Sequence, residues 1–287
     1  MISKASLSVC AMLLMAVGGC ALVDSVARSA GVSQRDAALL GGAAEAASIK
    51  LTPIGLEEEL EYGGAIAVMI VDAYGGLDHD PALNAYVNAV GNTVALYSPR
   101  ADLRYYFGVL NSDDIQAMAA PGGYVFITRG LIKALDDEAQ LAGVLAHEVA
   151  HVCNKDTLKI IQNLKAQKAA TDAAADAWKG AGAFSGVIDG VLEDYLTKGL
   201  PKKVEFAADI DGATIARAAG YDAHALDEAL QHIEAAGGHG EQHASFNDTH
   251  PEFEDRFVRL RKHLATLPTG GQRLPDRFLT QTASIRN

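Results

Sequence analysis

The run from Asp136 to Cys153 constrains this chain more than any other, because its apolar residues recur at the spacing of a helix that must be covered. Leu141, Val144, Leu145, Val149 and Val152 share one face at about 100° per residue. Asp136 stands where a helix N-cap is expected, and Asp137 and Glu138 put negative charge into the first turn, where the helix dipole favours it. Gly143, Ala146 and Ala150 form a small-residue face that permits another element to come close. His147 and His151 are four residues apart, one turn above each other, so both imidazoles can aim at one ion. Glu148 falls inside the apolar stripe, between Val144 and Val152, where packing alone would want an aliphatic residue. Partial burial there raises a carboxyl pKa, which suits a general base.

Two histidines leave a catalytic zinc site incomplete, since such a site takes three protein ligands and keeps one open position. Glu205, in the helical stretch Lys203–Ala219, is the expected third ligand. Asp209, one turn further on, is placed to accept the free ring N–H of a ligand histidine and fix its tautomer. His239 and His243 are also four apart, but they lie in a glycine-containing loop without an apolar face and are read as solvated.

The rest of the chain suggests how such a centre is housed. Residues 1–19 read as a signal peptide, with Lys4 ahead of an apolar stretch from Leu7 to Val17 that is too short to span a bilayer, for which about 20 apolar residues are needed. Val17-Gly18-Gly19-Cys20 resembles a bacterial lipobox, which would make Cys20 the lipidated first residue, anchored stably by several acyl chains. By analogy with enterobacteria, Ala21 in place of Asp suits sorting to the outer membrane. Loss of the leader removes Cys10, leaving Cys153 without a disulfide partner and read as a small buried apolar residue. Residues 20–48 read as a tether rich in Ala, Gly and Ser.

Residues 49–265 read as the main domain and 266–287 as a C-terminal tail. Helices are expected over Glu57–Tyr74, Pro81–Tyr97 with Asp80 as cap, Ala223–Ala236 and Pro251–Leu264. Residues 156–200, broken by Gly180, Gly182, Gly186 and Gly190, read as a helical arm or lid. Strands are expected over Leu103–Leu110 and, after the Pro121-Gly122-Gly123 turn, over Tyr124–Thr128. The fold class is therefore α+β, predominantly helical, with a small sheet beside the metal helix. Gly123, Tyr124, Val125 and Phe126 are expected to form an edge strand along which an extended substrate adds. With 24 Lys plus Arg against 36 Asp plus Glu, the net charge of −12 excludes extended contact with a phosphate backbone, so nucleic acid is not a partner.

Four motifs in order carry a resemblance covering about Glu57 to Leu264. They are His147 to Val152; Glu205-Phe206-Ala207-Ala208-Asp209; Pro121 to Phe126 with Arg129-Gly130-Leu131; and His250-Pro251 with Arg256. Together they resemble the zinc metallopeptidases that include HtpX, the CAAX prenyl protease and the periplasmic BepA and LoiP proteases. The resemblance implies a gluzincin-type core, one zinc per chain on His147, His151 and Glu205, and Glu148 as catalytic base. It places His250 near the metal, either donating to a developing oxyanion or plugging the open position, with Arg256 orienting it or sharing the anionic charge. Gln116-Ala117-Met118-Ala119 departs from the Asn-Ala-Phe-Ala type of many relatives. The absence of BepA's helical repeats, with the lipobox, points to the short lipoprotein members of the periplasmic branch. Expected substrates are unfolded or misassembled envelope proteins, with outer-membrane assembly machinery as a partner. The competing expectation is a latent protease, its site covered by the 156–200 arm or His250, or a non-catalytic zinc-containing holdase or assembly factor that binds such chains without cutting them.

Overall fold

The computed structural model describes residues 48–49, 52–172, 200–236, 246, 250 and 253–286. The signal peptide, the tether and Cys20, apart from 48 at the tether's end, lie outside them, as do residues 173–199 of the expected arm, His239 and His243. The described chain falls into two compact units. The smaller holds the described residues up to Ile54 and those from 159 to 172, and in it the Gln162 side-chain amide donates to the carbonyls of Ile49 and Thr52. The larger comprises Gly55–Leu158 and the described residues from 200 to 286.

In the larger unit, helix α1 (Leu56–Ala73) is followed by α2 (Pro81–Ala95), whose start is fixed by the Asp80 carboxylate accepting from Ala82 and Leu83 N–H. Three strands come next: β1 (Tyr106–Leu110), β2 (Ala117–Ala120) and β3 (Tyr124–Thr128). Then follow a short helix α3 (Arg129–Ala134) and the long metal helix α4 (Glu138–Asn154). Helix α5 (Asp156–Asp172) begins in this unit and continues into the smaller. Among the described residues the remaining helices are α6 (Lys202–Ala218), α7 (His224–Ala236), α8 (Phe253–Leu264), α9 (Pro275–Gln281) and α10 (Ala283–Arg286). The fold is thus α+β and predominantly helical, with a small mixed sheet against α4.

The sheet order is β1-β3-β2, with β1 parallel and β2 antiparallel to β3. This corrects one expectation. Gly123, Tyr124, Val125 and Phe126 are not an edge: Tyr124–Thr128 is the central strand, and its backbone groups are taken up on both sides. The edges are β1 and β2. On β1, Asn84 Oδ1 accepts from Val109 N–H, the Asn88 amide donates to the Phe107 carbonyl, and residues 76–78 pair with Val109 and Asn111. Side chains of α2 therefore blunt that edge. The strand also begins at Tyr106, three residues later than its alternation suggests.

Two other expectations change. The cap of α4 is Asp137, whose carboxylate accepts from Gln140 N–H, while Gln140 Oε1 accepts from Asp136 N–H, a reciprocal box displaced by one residue. Residues 266–286 are no loose tail. Phe278 and Thr282 are buried, Arg273 reaches the cap residue Asp137, and Arg277 pairs with buried Glu138, which also accepts from the hydroxyls of Tyr86 and Tyr221. The N-terminal end of α4 is pinned by the C-terminal end of the chain.

Helix α6 lies hard against α4. A Cβ at Gly212 would stand 2.9 Å from both Cα and N of His147, backbone atoms that cannot rotate aside. Gly212→Ala is therefore expected to destabilise by about 1–3 kcal/mol, the usual range for overpacking. Thermal unfolding reads this, and an unchanged melting temperature would contradict the close approach.

Candidate metal centre

Four buried side chains converge: His147 and His151 from α4, Glu205 from the first turn of α6, and His250, which precedes α8. Each offers one ligand atom, and these atoms lie within 4.8 Å of one another. The two Nε2 atoms are 3.1 Å apart, Glu205 Oε2 is 3.5 Å from His147 Nε2, and Glu205 Oε1 is 3.6 Å from His151 Nε2. Tetrahedral bonds of about 2.0–2.1 Å require ligand atoms roughly 3.3 Å apart, close to these spacings. Both Glu205 oxygens are buried without a hydrogen-bond partner among the described residues, a costly state for a carboxylate unless a cation meets it. Donor set, spacing and unsatisfied oxygens all fit a metal ion such as zinc.

The rings are held from behind. Asp209 Oδ1 is 3.0 Å from His147 Nδ1. Asp209 is itself gripped by Arg256, with Nε to Oδ2 at 2.8 Å and Nη2 to Oδ1 at 2.7 Å. Arg256 is fully buried between the rings of Phe246 and Phe253, and its Nη1 donates to the His250 carbonyl. Its hydrogen bond to His250 is thus made to the backbone carbonyl. The His250 ring stacks on Phe246, with centroids 4.0 Å apart and planes 9° apart, and Phe246 N–H bonds to the Ile115 carbonyl just before β2. At the far end of α4, Arg100 bridges the Glu59 carboxylate and the Val152 carbonyl, while Glu59 also accepts from Gly122 N–H.

Glu148 is wholly buried, and neither of its oxygens has a hydrogen-bond partner among the described residues; His250 Nε2 stands 3.8 Å from Oε1. Burial raises its pKa against the pull of His147 and His151. Burial also opposes ionisation of Glu205, but His250, His151, His147 and Arg256 outweigh it and keep that carboxyl low. His250 is driven down to about 3, first by burial and then by His147, Arg256 and His151 beside it, against the pull of Glu205. One carboxylate is thus held ionised beside a second that is drawn toward taking a proton.

All the sequence-identified residues His147, Glu148, His151, Glu205, Asp209, His250 and Arg256 lie in this one region. Asp156 is an addition, its Oδ2 3.1 Å from His151 Nδ1. Its only sequence signal is a carboxylate soon after the second histidine. Phe246, stacked under His250, carries no signal in the sequence.

The sequence pattern of peptidase family M48 matches residues 81–264. The chain is 30% identical over 109 residues to the Beta-barrel assembly-enhancing protease of Yersinia pestis, covering 38% of this chain and 22% of that protein. It is 26% identical over 220 residues to the Putative beta-barrel assembly-enhancing protease of Vibrio cholerae, covering 74% and 45%. A Protease HtpX homolog of Fusobacterium nucleatum is 39% identical over 75 residues, covering 24% of each. The matched segments span less than half the length of each of these relatives.

Proposed function

The chain belongs to peptidase family M48, and on that footing we propose that it is a zinc-dependent endopeptidase, with one zinc per chain held by His147, His151 and Glu205. Family membership and the buried His/His/Glu cluster together support this activity. The observation that carries the reading is a complete three-donor set beside a buried glutamate with no hydrogen-bond partner among the described residues. When bound, zinc would polarise the scissile carbonyl and bring the pKa of water to about 7. Glu148 takes the proton of the attacking water and passes it to the leaving amine, and its raised pKa suits both transfers. The His250 ring donates to the developing oxyanion. Asp209, gripped by Arg256, keeps the His147 ring turned toward the ion.

With β3 enclosed and the β1 edge blunted, β2 is the sheet edge that packs on α4, and because it is buried throughout, an extended peptide that pairs there to reach the cluster must first displace what covers it. Backbone pairing there favours unfolded chains over a specific sequence. The substrates we assign are unfolded or misassembled envelope proteins in the bacterial periplasm, with the chain tethered through Cys20 to the outer membrane. The names of the two β-barrel assembly-enhancing relatives support assembly machinery as a partner. No helix among the described residues is long and apolar enough to cross a membrane.

A second reading has its own observation: His250 completes a four-donor set, and closed four-ligand sites are the structural kind. The chain would then be latent, or a holdase. Casein cleavage by the purified mature chain and by His250→Ala separates the two. Measurable parent activity that falls at least tenfold in the variant supports His250 as an oxyanion donor; an inert parent with an active variant supports latency. Equal rates and equal zinc affinity would remove both roles.

A further inference from the structure

We propose that Asp156 is a positioning residue for the metal centre, holding His151 by Nδ1 so that Nε2 faces the ion. The inference rests on the zinc reading above and extends it to a residue that the motif does not contain. On a continuous helix a side chain five residues on lies about 140° around the axis, so Asp156 could not reach the His151 ring. The chain is turned instead. Lys155 adopts φ 56° and ψ 39°, a left-handed conformation uncommon for a residue other than glycine, and its N–H closes on the carbonyls of His151 and Val152. That corner ends α4 and returns the chain so that Asp156, opening α5, points back at the ring just passed.

The resulting contact is buried on both sides, with the His151 and Asp156 side chains 1% and 3% exposed. Oδ2 lies 3.1 Å from Nδ1 with hydrogen-bond geometry, so the ring carries its proton there and presents the Nε2 lone pair to the cluster. Nε2 in turn stands 3.1 Å from His147 Nε2 and 3.6 Å from Glu205 Oε1. The first turn of α5 is also where the helix dipole favours a carboxylate. The two ligand histidines are therefore oriented by different means: His147 by Asp209 in the grip of Arg256, and His151 by an aspartate set by a backbone corner.

The test is zinc affinity, measured on the full mature chain by competition with a chromogenic chelator, for the parent, Asp156→Ala and Asp156→Asn. Loss of such an orienting partner typically costs 10–100-fold in metal affinity. That loss is expected for the alanine variant. A smaller one is expected for asparagine, whose carbonyl still accepts the ring N–H. In the metal-free protein, the nitrogen-15 shifts of His151 should report a proton on Nδ1 in the parent and mixed tautomers in Asp156→Ala, a readout that a purely structural role would not move. Parent-like affinity in Asp156→Ala overturns the inference. If that variant does not fold, parent-like affinity and an unchanged tautomer in Asp156→Asn overturn it. A parent chain that takes up no zinc would instead defeat the metal reading itself.

Discussion

Glu148→Gln should abolish cleavage of unfolded protein while leaving zinc binding and the fold intact. Glutamine has nearly the shape of glutamate but takes no proton at working pH, so the variant removes proton transfer and little else. General acid–base catalysis is worth about 10²–10⁴-fold, and a loss of that order in kcat is expected, with KM little changed. Stability should not fall. Both Glu148 oxygens are buried without a hydrogen-bond partner among the described residues, so the ionised side chain is already costly there and a neutral amide is no worse. A glutamate present only for structure predicts the opposite pair of results: a lower melting temperature and a retained rate.

The largest loss of stability is expected from Arg256→Ala. The guanidinium is fully buried, makes two hydrogen bonds to Asp209, one to the His250 carbonyl, and stands 3.6 Å from Glu205 Oε2. Removing it strands buried carboxylates, which typically costs about 3–5 kcal/mol. Lysine should not restore the loss, because one ammonium cannot reproduce a planar two-point grip. The pair of half-exposed Arg261 with Asp227 is the internal control, and Arg261→Ala should cost no more than about 1 kcal/mol. Acid unfolding gives the same contrast. Burial opposes ionisation of Asp209, but Arg256 overcomes it and holds that carboxyl below its ordinary 3.8. Its contribution is complete above that value and is lost as pH falls through the lower folded value. Without Arg256 the depression is smaller, with only His147 left to hold the carboxyl down, so Arg256→Ala should unfold at higher pH than the parent. Equal acid midpoints would contradict the buried pair.

The metal helix and its ligands were legible because their signals are local: a 3.6-residue apolar period, two histidines one turn apart, and a carboxylate where packing wants an aliphatic side chain. The third ligand was legible through what a two-histidine site lacks. Strand β2 was not, since Ala117, Met118, Ala119 and Ala120 have no β-branched residue, and they become a strand only by pairing with β3. That same omission made β3 look like an edge. Asp156 was hidden by a left-handed corner at a lysine, where glycine would have announced the turn. Residues 266–286 looked like a tail because the partners of Arg273 and Arg277, Asp137 and Glu138, lie far back in the sequence.

The most direct test of the central claim is zinc removal and return. The purified mature chain is assayed for metal content and casein cleavage, stripped with a chelator, and assayed again as zinc is added back. One zinc per chain, loss of cleavage on stripping, and recovery that saturates at one equivalent are expected. Cleavage that persists after complete stripping, or a fully loaded parent and His250→Ala variant that both cut nothing, would contradict it.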